Sequence, residues 1–306
     1  MESIAQAPDI WFPNVGIMID SIDRVAIKNF LGLGFDIYWY GILIAIGILA
    51  GLLMAQHEAV RTGQKKEIYS DYLLWTIVFC IVGARLYYVV FKWDDFKDDL
   101  WSIFAIRNGG LAIYGGIIAA VIVSFAYTRI RNISLAKFLD TAVLGLIIGQ
   151  VIGRWGNFIN REAFGGYTDS FLAMRYKLNG TNAIKETSQE VLNNIQKFKL
   201  EGTDQIVEYV QVHPTFFYES MWNLGLFIIL NIYKRHKRFE GELVALYFAG
   251  YGLGRFWIEG LRTDQLIIGD TGIAVSQVLS LVLMFISVIY IIYNRRRTPK
   301  RLKIRF

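Results

Sequence analysis

The stretch Gly153-Arg154-Trp155-Gly156-Asn157-Phe158-Ile159-Asn160-Arg161-Glu162-Ala163-Phe164-Gly165 holds the densest concentration of side chains able to do chemistry. Its glycines permit close backbone approach, and its arginine, two asparagines and glutamate make a donor-rich surface. A guanidinium meets a phosphate with two parallel charge-assisted hydrogen bonds, which an ammonium cannot reproduce. Arg154 is therefore a candidate phosphate ligand; the alternative is a helix terminus whose arginine reaches up to a membrane interface. A second group lies in Gly250-Tyr251-Gly252-Leu253-Gly254-Arg255-Phe256-Trp257-Ile258-Glu259, followed by Arg262 and Asp264. Arg255 and Glu259 stand four residues apart and share one helix face. They either serve a site together or form an ion pair that only holds helices. The Gly-x-Gly-x-Gly run follows no strand, which favours close helix packing over a nucleotide loop.

Other candidates carry less on their own. Arg85, in Gly83-Ala84-Arg85-Leu86-Tyr87-Tyr88, reads alone as a snorkelling or paired structural residue, and Tyr38, Trp39 and Tyr40 as an interfacial aromatic belt. His213-Pro214-Thr215 reads as a helix start, with Tyr218 and Glu219 in the first two turns. The three histidines, His57, His213 and His236, fall on different segments, which argues against a histidine metal site. The single cysteine, Cys80, excludes an internal disulfide and reads as a buried apolar thiol. Any thiol chemistry must use a thiol from elsewhere.

The elements that position these residues are membrane spans. With 54% hydrophobic residues in 306 and a mean hydropathy of +0.38, the chain is too apolar for an ordinary soluble domain. Spans of about 20 apolar residues can cross a hydrocarbon core. Ile37 to Gln56, Gly109 to Thr128 and Thr271 to Asn294 contain no Lys, Arg, Glu or Asp. Tyr72 to Phe91 carries Arg85, Phe138 to Gly153 carries Asp140, Pro214 to Tyr233 carries Glu219, and Gly241 to Gly260 carries Arg255 and Glu259. An ionisable group inside a span costs at least about 2.5 kcal/mol on insertion scales, so each marks a site, a pathway or a structural pair. The fold expected is an all-α integral membrane protein of about seven transmembrane helices. Residues 1–36 form an extracytoplasmic arm, 37–293 the transmembrane catalytic domain, and 294–306 a basic cytoplasmic tail. The polar segment 161–211, with Asn179-Gly180 and a Lys-, Glu-, Gln- and Asn-rich run from Lys185 to Asp204, is the one loop long enough for a small extracytoplasmic domain between the fourth and fifth spans. The start, Met1 to Asp36, shows no basic region ahead of an apolar run, so a cleaved signal peptide is not expected.

Basic residues near the spans set the orientation. Arg61, Lys65 and Lys66, Arg129, Arg131 and Lys137, Lys234, Arg235, Lys237 and Arg238, and the tail from Arg295 to Arg305 make 17 on one side. Short segments of the other side hold 6, namely Arg24, Lys28, Lys92, Lys97, Arg107 and Arg262. The N-terminus is thus expected outside and the C-terminus inside, and the net charge of +6 reflects cytoplasmic flanks on anionic lipid, with no call for nucleic acid. This orientation carries Tyr40, Arg85, Tyr114, Arg154, Asn157, Asn160, Glu162, His213, Tyr218, Glu219, Arg255 and Glu259 toward the outer leaflet. A transporter would place polar residues along both halves of the bilayer, and the halves show no internal repeat. A purely structural scaffold is the third reading.

The chain resembles the prolipoprotein diacylglyceryl transferases over essentially its whole length, from Tyr38-Trp39-Tyr40-Gly41 onward. The family signature G-R-x-G-N-F-x-N-x-E-x-x-G is met by Gly153 to Gly165. Gly83 to Arg85, Asn108 to Leu111, His213 to Glu219 and Arg255 to Glu259 match its further motifs. The resemblance implies transfer of the sn-1,2-diacylglyceryl group of phosphatidylglycerol to the lipobox cysteine thiol of a preprolipoprotein, with release of glycerol phosphate, at the outer face of a bacterial cytoplasmic membrane. It implies no cofactor and no metal, and its partners are phosphatidylglycerol, lipobox signal peptides and membrane lipid. Arg154 is assigned to the phosphate, with Arg255 its partner or second clamp and Glu259 orienting Arg255. Asn157, Asn160 and Glu162 would hold the head group and loop, and Tyr40, Arg85, Gly165, His213, Tyr218 and Glu219 would complete substrate binding. Tyr114 stands where some members have a histidine, proposed as the base, and others a tyrosine. An ordinary tyrosine, of pKa about 10, is a poor base at neutral pH, so Tyr114 is expected to position the lipid or thiol through its hydroxyl.

Overall fold

The computed structural model describes residues 2–32, 34–106, 109–178, 188–269 and 271–298. The features placed on Arg107, Asn108, Asn179, Lys185 and the tail beyond Thr298 lie outside these residues. Helices occur at all seven expected positions: α1 (Trp39–Arg61), α2 (Glu67–Phe91), α3 (Ile113–Ile130), α4 (Leu135–Asn160), α6 (Thr215–Tyr233), α7 (Glu242–Leu261) and α8 (Val275–Arg297), with a short α5 (Gln189–Asn193) between α4 and α6. The protein is a helical membrane protein, and among the described residues five helices, α1 to α4 and α8, are long and apolar enough to cross a membrane. A hydrocarbon solvent leaves no partner for unpaired backbone, and continuous helices satisfy every internal N–H and C=O. α6 and α7 are long enough, but Glu219, Ser220 and Asn223 on one, and Glu242, Arg255 and Glu259 on the other, lower their apolar character.

Two helix ends differ from the sequence expectation in ways that move candidate residues. α4 continues to Asn160, beyond Gly153, so Arg154, Asn157 and Asn160 are all helical. Arg161 and Ala163, each at φ 56°, then turn the chain away. α3 begins at Ile113, because Gly109 and Gly110 adopt φ of 88° and 80°, outside the right-handed helical region. Tyr114 consequently sits in the first turn of α3.

The all-α expectation is corrected by a six-stranded sheet, ordered β1-β7-β8-β6-β2-β3, and a two-stranded pair β4-β5. The strands are β1 (Glu2–Ile4), β2 (Ile10–Phe12), β3 (Ile17–Ile19), β4 (Val25–Ile27), β5 (Ile37–Tyr38), β6 (Met174–Lys177), β7 (Gln196–Leu200) and β8 (Ile206–Val212). Among the described residues β1 and β7 run parallel and the other pairs are antiparallel. β1 to β3, from the segment expected as an arm, and β6 to β8, from the expected insertion and the residue after it, therefore share one sheet. The cause is period-two patterning: in β6 Met174 and Tyr176 are buried while Arg175 and Lys177 are not. Ile10, Met174, Tyr176, Val191, Val210 and Val212 form its core with Phe158, Phe164 and Phe216.

The chain divides into two compact units, residues 2–51 with 146–298 and residues 52–145. In the smaller unit α2 and α3 meet at Gly83 and Gly115; a methyl on Gly83 would stand 2.6 Å from the Ala119 Cβ and 2.7 Å from the Gly115 carbonyl. Small residues at such crossings let helices pack by backbone contact in lipid. Cys80 is half-buried there, with Sγ 3.2 Å from the Gly116 carbonyl oxygen. In the larger unit the Gly-x-Gly-x-Gly run lies inside α7 and serves packing: a methyl on Gly254 would meet the Trp222 indole at 2.1 Å, and one on Gly252 the Ser280 carbonyl at 2.6 Å.

Candidate active site

α4, α6 and α7 bring four ionised side chains of the larger unit into one network. Glu219, on α6 and only 3% exposed, lies between two arginines. Its Oε1 is 2.6 Å from Arg154 Nη2 on α4, and its Oε2 accepts from Arg255 Nη1 on α7 at 3.0 Å. Arg255 Nη2 stands 2.5 Å from Glu259 Oε2, one turn further along α7. The other oxygen of Glu259 accepts from the Ser276 hydroxyl of α8 at 2.6 Å. Two guanidinium groups thus balance two carboxylates, as the low dielectric of a buried site demands. Arg154 is the more open of the two cations, its side chain 24% exposed against 16% for Arg255. Beside them Arg262 forks onto Asp264, Nε to Oδ1 at 2.9 Å and Nη2 to Oδ2 at 2.6 Å. Burial pushes the Asp264 carboxyl up, but the Arg262 hydrogen bonds and charge outweigh it and hold the group below its ordinary range.

Below the loop that ends α4, Glu162 accepts from Asn157 Nδ2 at 3.0 Å and Asn160 Nδ2 at 3.3 Å, a carboxylate tying its own helix end. Arg161 reaches Asp9 Oδ2 at 2.6 Å and the Ile22 carbonyl at 3.0 Å, which joins this loop to the N-terminal strands. Gly165 donates its N–H to the His213 carbonyl at 3.0 Å, and Gly166 donates to the Leu261 carbonyl at 2.8 Å. A methyl on Gly165 would fall 2.7 Å from the His213 Cβ and 2.8 Å from the Leu261 oxygen. The backbone therefore passes where only glycine fits, between the start of α6 and the end of α7. His213 Nδ1 lies 3.3 Å from the Tyr218 hydroxyl, and burial pushes its imidazole below the ordinary 6.5, so it is neutral at pH 7. The Tyr40 ring covers Gly156, where a methyl would meet it at 2.6 Å. Next to this face a groove of about 540 Å³ is bounded by Trp39, Leu43, Trp155 and Phe158.

Arg85 and Tyr114 belong to the smaller unit. Arg85 is buried, and its guanidinium donates to four backbone carbonyls: Nε to Ile103 at 2.7 Å, Nη1 to Gly109 at 2.8 Å and Gly110 at 2.9 Å, and Nη2 to Ser102 at 2.7 Å. Four of its five N–H groups are thereby engaged in pinning the segment before α3. The Tyr87 and Tyr114 rings lie 6.4 Å apart, and among the described residues the Tyr114 hydroxyl has no hydrogen-bond partner. The expected residues thus fall into groups: Arg154, Glu219, Arg255 and Glu259; Asn157, Asn160 and Glu162; Gly165, His213 and Tyr218; Tyr40 on Gly156; and Arg85 and Tyr114 in their own unit. Sequence reasoning missed Ser276, which has no motif, and the role of Glu219 as the bridge. It also missed Tyr251, which lies beside Arg154. Tyr247, Tyr251, Arg255 and Glu259 recur every fourth residue on α7, a signal that was present in the spacing. Among the described residues no group of His, Cys, Asp and Glu is placed to hold a metal ion.

The family model described as prolipoprotein diacylglyceryl transferase matches residues 28–293. The chain belongs to that family. A phosphatidylglycerol–prolipoprotein diacylglyceryl transferase of Clostridioides difficile is 38% identical over 281 residues, which covers 92% of this chain and 99% of the relative. The transferase of the same name from Enterococcus faecalis is 42% identical over 285 residues, 92% of this chain and 94% of the relative. That of Halalkalibacterium halodurans is 37% identical over 281 residues, 92% and 89%. The family match spans every residue of the ionised network.

Proposed function

We propose that this chain transfers the diacylglyceryl group of phosphatidylglycerol to a prolipoprotein, the lipid-attaching step of lipoprotein maturation. The observation that carries this is the buried Arg154-Glu219-Arg255-Glu259 network in a membrane protein of this family. The acceptor is the lipobox cysteine of the signal peptide, whose thiol supplies the nucleophile that Cys80 does not. The sulfur attacks the glyceryl carbon that carries the phosphate ester. A carbon–sulfur bond forms, the carbon–oxygen bond breaks, glycerol phosphate leaves with the electron pair, and the thiol proton passes to solvent or to the leaving phosphate. Negative charge grows on the departing oxygens, and preorganised guanidinium groups in a poorly hydrated site stabilise it more than water does. Arg154 takes the phosphate, Arg255 is the second clamp, and Glu259 with Ser276 orients Arg255. Asn157, Asn160 and Glu162 shape the head-group side, with Tyr40, His213, Tyr218 and Gly165 around it; Arg85 fixes the segment that precedes Tyr114. The test is transfer of label from radiolabelled phosphatidylglycerol to a lipobox peptide beside its cysteine-to-serine counterpart. Label on the cysteine peptide alone is the expected result, and an unlabelled cysteine peptide rejects the reading.

The site faces the outer leaflet of the bacterial cytoplasmic membrane, on seven spans with the N-terminus outside. Two observations support this. The basic residues divide 17 against 6. β1 pairs with β7, β2 with β6 and β3 with β2, so strands before α1 and after α4 share one sheet, which is in keeping with an even number of crossings between them. Phosphatase reporters fused after Asn108 and after Arg235 should be active at the first and silent at the second; the opposite pattern moves the site to the cytoplasm.

Tyr114 acts by hydrogen bonding. A substrate thiol of pKa about 8.5 is already a few per cent thiolate at neutral pH, and neighbouring arginines favour more. Tyr114→Phe should slow transfer by the value of one hydrogen bond, about 0.5 to 1.5 kcal/mol, with the pH profile unmoved. A Tyr114→Phe enzyme silent at pH 7 that recovers at high pH makes Tyr114 the base.

A further inference from the structure

The ionised network is electrically closed: Arg154 and Arg255 face Glu219 and Glu259, and the adjacent Arg262 is matched by Asp264. An anionic phosphate cannot join such a cluster without displacing a carboxylate, because an added unpaired charge in a low-dielectric site is costly. Arg154 is the cation to be released, being the more open one and holding one carboxylate of the network where Arg255 holds two. When it turns to phosphate, Glu219 keeps Arg255 on Oε2 and loses its neighbour on Oε1. Already Oε1 lies close to Arg154 without an aligned hydrogen bond. Released, it would be a bare carboxylate oxygen in a membrane interior.

One turn along the same helix stands Asn223, fully buried. Neither its Nδ2 nor its Oδ1 has a hydrogen-bond partner among the described residues, an arrangement that is costly and persists in native proteins only for a reason. Residues four apart on a helix are neighbours, with about 5–6 Å between their Cβ atoms, and a carboxylate and a carboxamide at that spacing can pair. Ser220, between them on this buried face, is engaged elsewhere, donating to the Val151 carbonyl of α4 at 2.9 Å. Trp222 is likewise committed, to the Gly250 carbonyl at 2.9 Å.

We propose that Asn223 is a positioning residue, whose amide takes over Glu219 Oε1 when Arg154 leaves it for the phosphate of the donor lipid. The amide is unsatisfied in the free protein because its partner belongs to the lipid-bound state. Asn223 thus lowers the cost of the exchange without touching lipid itself, in keeping with its complete burial. The inference rests on the transferase reading above.

The test is steady-state transfer by full-length protein in micelles of graded phosphatidylglycerol content, with Asn223→Ala, Asn223→Ser and Asn223→Leu. The alanine and leucine variants should raise KM for phosphatidylglycerol about tenfold with kcat within twofold of the parent. Serine, nearly the size of alanine but able to donate, should recover most of that loss. Thermal midpoints should be unchanged, and that of Asn223→Leu unchanged or higher, since an unpaired buried amide has been removed. Equal KM for the serine and alanine variants, a loss in kcat alone, a KM unmoved in all three, or general failure to fold each overturns the proposal. Failure of the parent itself to transfer lipid defeats the functional reading, which is a separate outcome.

Discussion

Purified Arg154→Lys protein is expected to retain its fold and lose about tenfold to a hundredfold in transfer rate. The expectation follows from geometry at α4. Lysine keeps the charge that faces Glu219, so the ion pair that holds α4 to α6 survives in altered form. What it cannot keep is the planar fork that meets two phosphate oxygens at once. One charge-assisted hydrogen bond is worth about 1.5 to 3 kcal/mol, and if it acts in the transition state that converts to the stated range. Thermal midpoints within a few degrees of the parent are the control. Near-normal turnover would assign Arg154 to anchoring alone.

The exchange of Arg255→Glu with Glu259→Arg is expected to abolish activity and to weaken the fold as well. An isolated ion pair tolerates reversal, since both partners remain. Arg255, however, also serves Glu219 at 3.0 Å, and the swap would set a second carboxylate against that buried one. Removing one partner from a buried charge pair costs about 3 to 5 kcal/mol, and placing a like charge in its stead does not lessen the penalty. A double variant that folds and transfers lipid like the parent would show that the two residues form a self-contained strut, independent of Glu219. Thermal denaturation in detergent and the labelled-lipid assay read the two effects separately.

The helices were legible because lipid imposes one rule on every span, a run of about 20 apolar residues, and violations of that rule expose the residues that matter. Arg85, Glu219, Arg255 and Glu259 stood out in this way. Their partners on other helices were not legible. Spacing on one helix pairs Arg255 with Glu259, but it takes three helices to show that Glu219 joins Arg255 to Arg154, and a fourth to supply Ser276. Arg85, although equally conspicuous, turned out to be engaged by backbone carbonyls on a loop whose path depends on two left-handed glycines. The sheet escaped notice for a different reason. Its strands run from three to seven residues, and β7 lies within a run of Lys and Gln that reads as loop. Alternation over so few residues is a weak signal until a partner strand, nearly two hundred residues away for β1, supplies the other half of the ladder.

That partnership has a consequence for how the protein is made. Glu2 to Ile4 pair with Phe198 to Leu200, and the Tyr209 hydroxyl donates to the Pro8 carbonyl at 2.9 Å, so β1 is completed by a part of the chain synthesised much later. At about 5 to 20 residues per second, the ribosome takes on the order of 10 to 40 seconds to deliver the missing strands. In the orientation proposed above, β1 lies across the membrane for most of that interval without β7 and β2 without β6, and such open edges invite pairing with other chains. Four helices must settle in lipid before the sheet can close. In that orientation the N-terminal segment depends on whatever shields nascent chains at the far side of the membrane, and ribosome-stalled chains ending before residue 196 should show it protease-sensitive, while those extending past residue 212 and clear of the exit tunnel should show it protected.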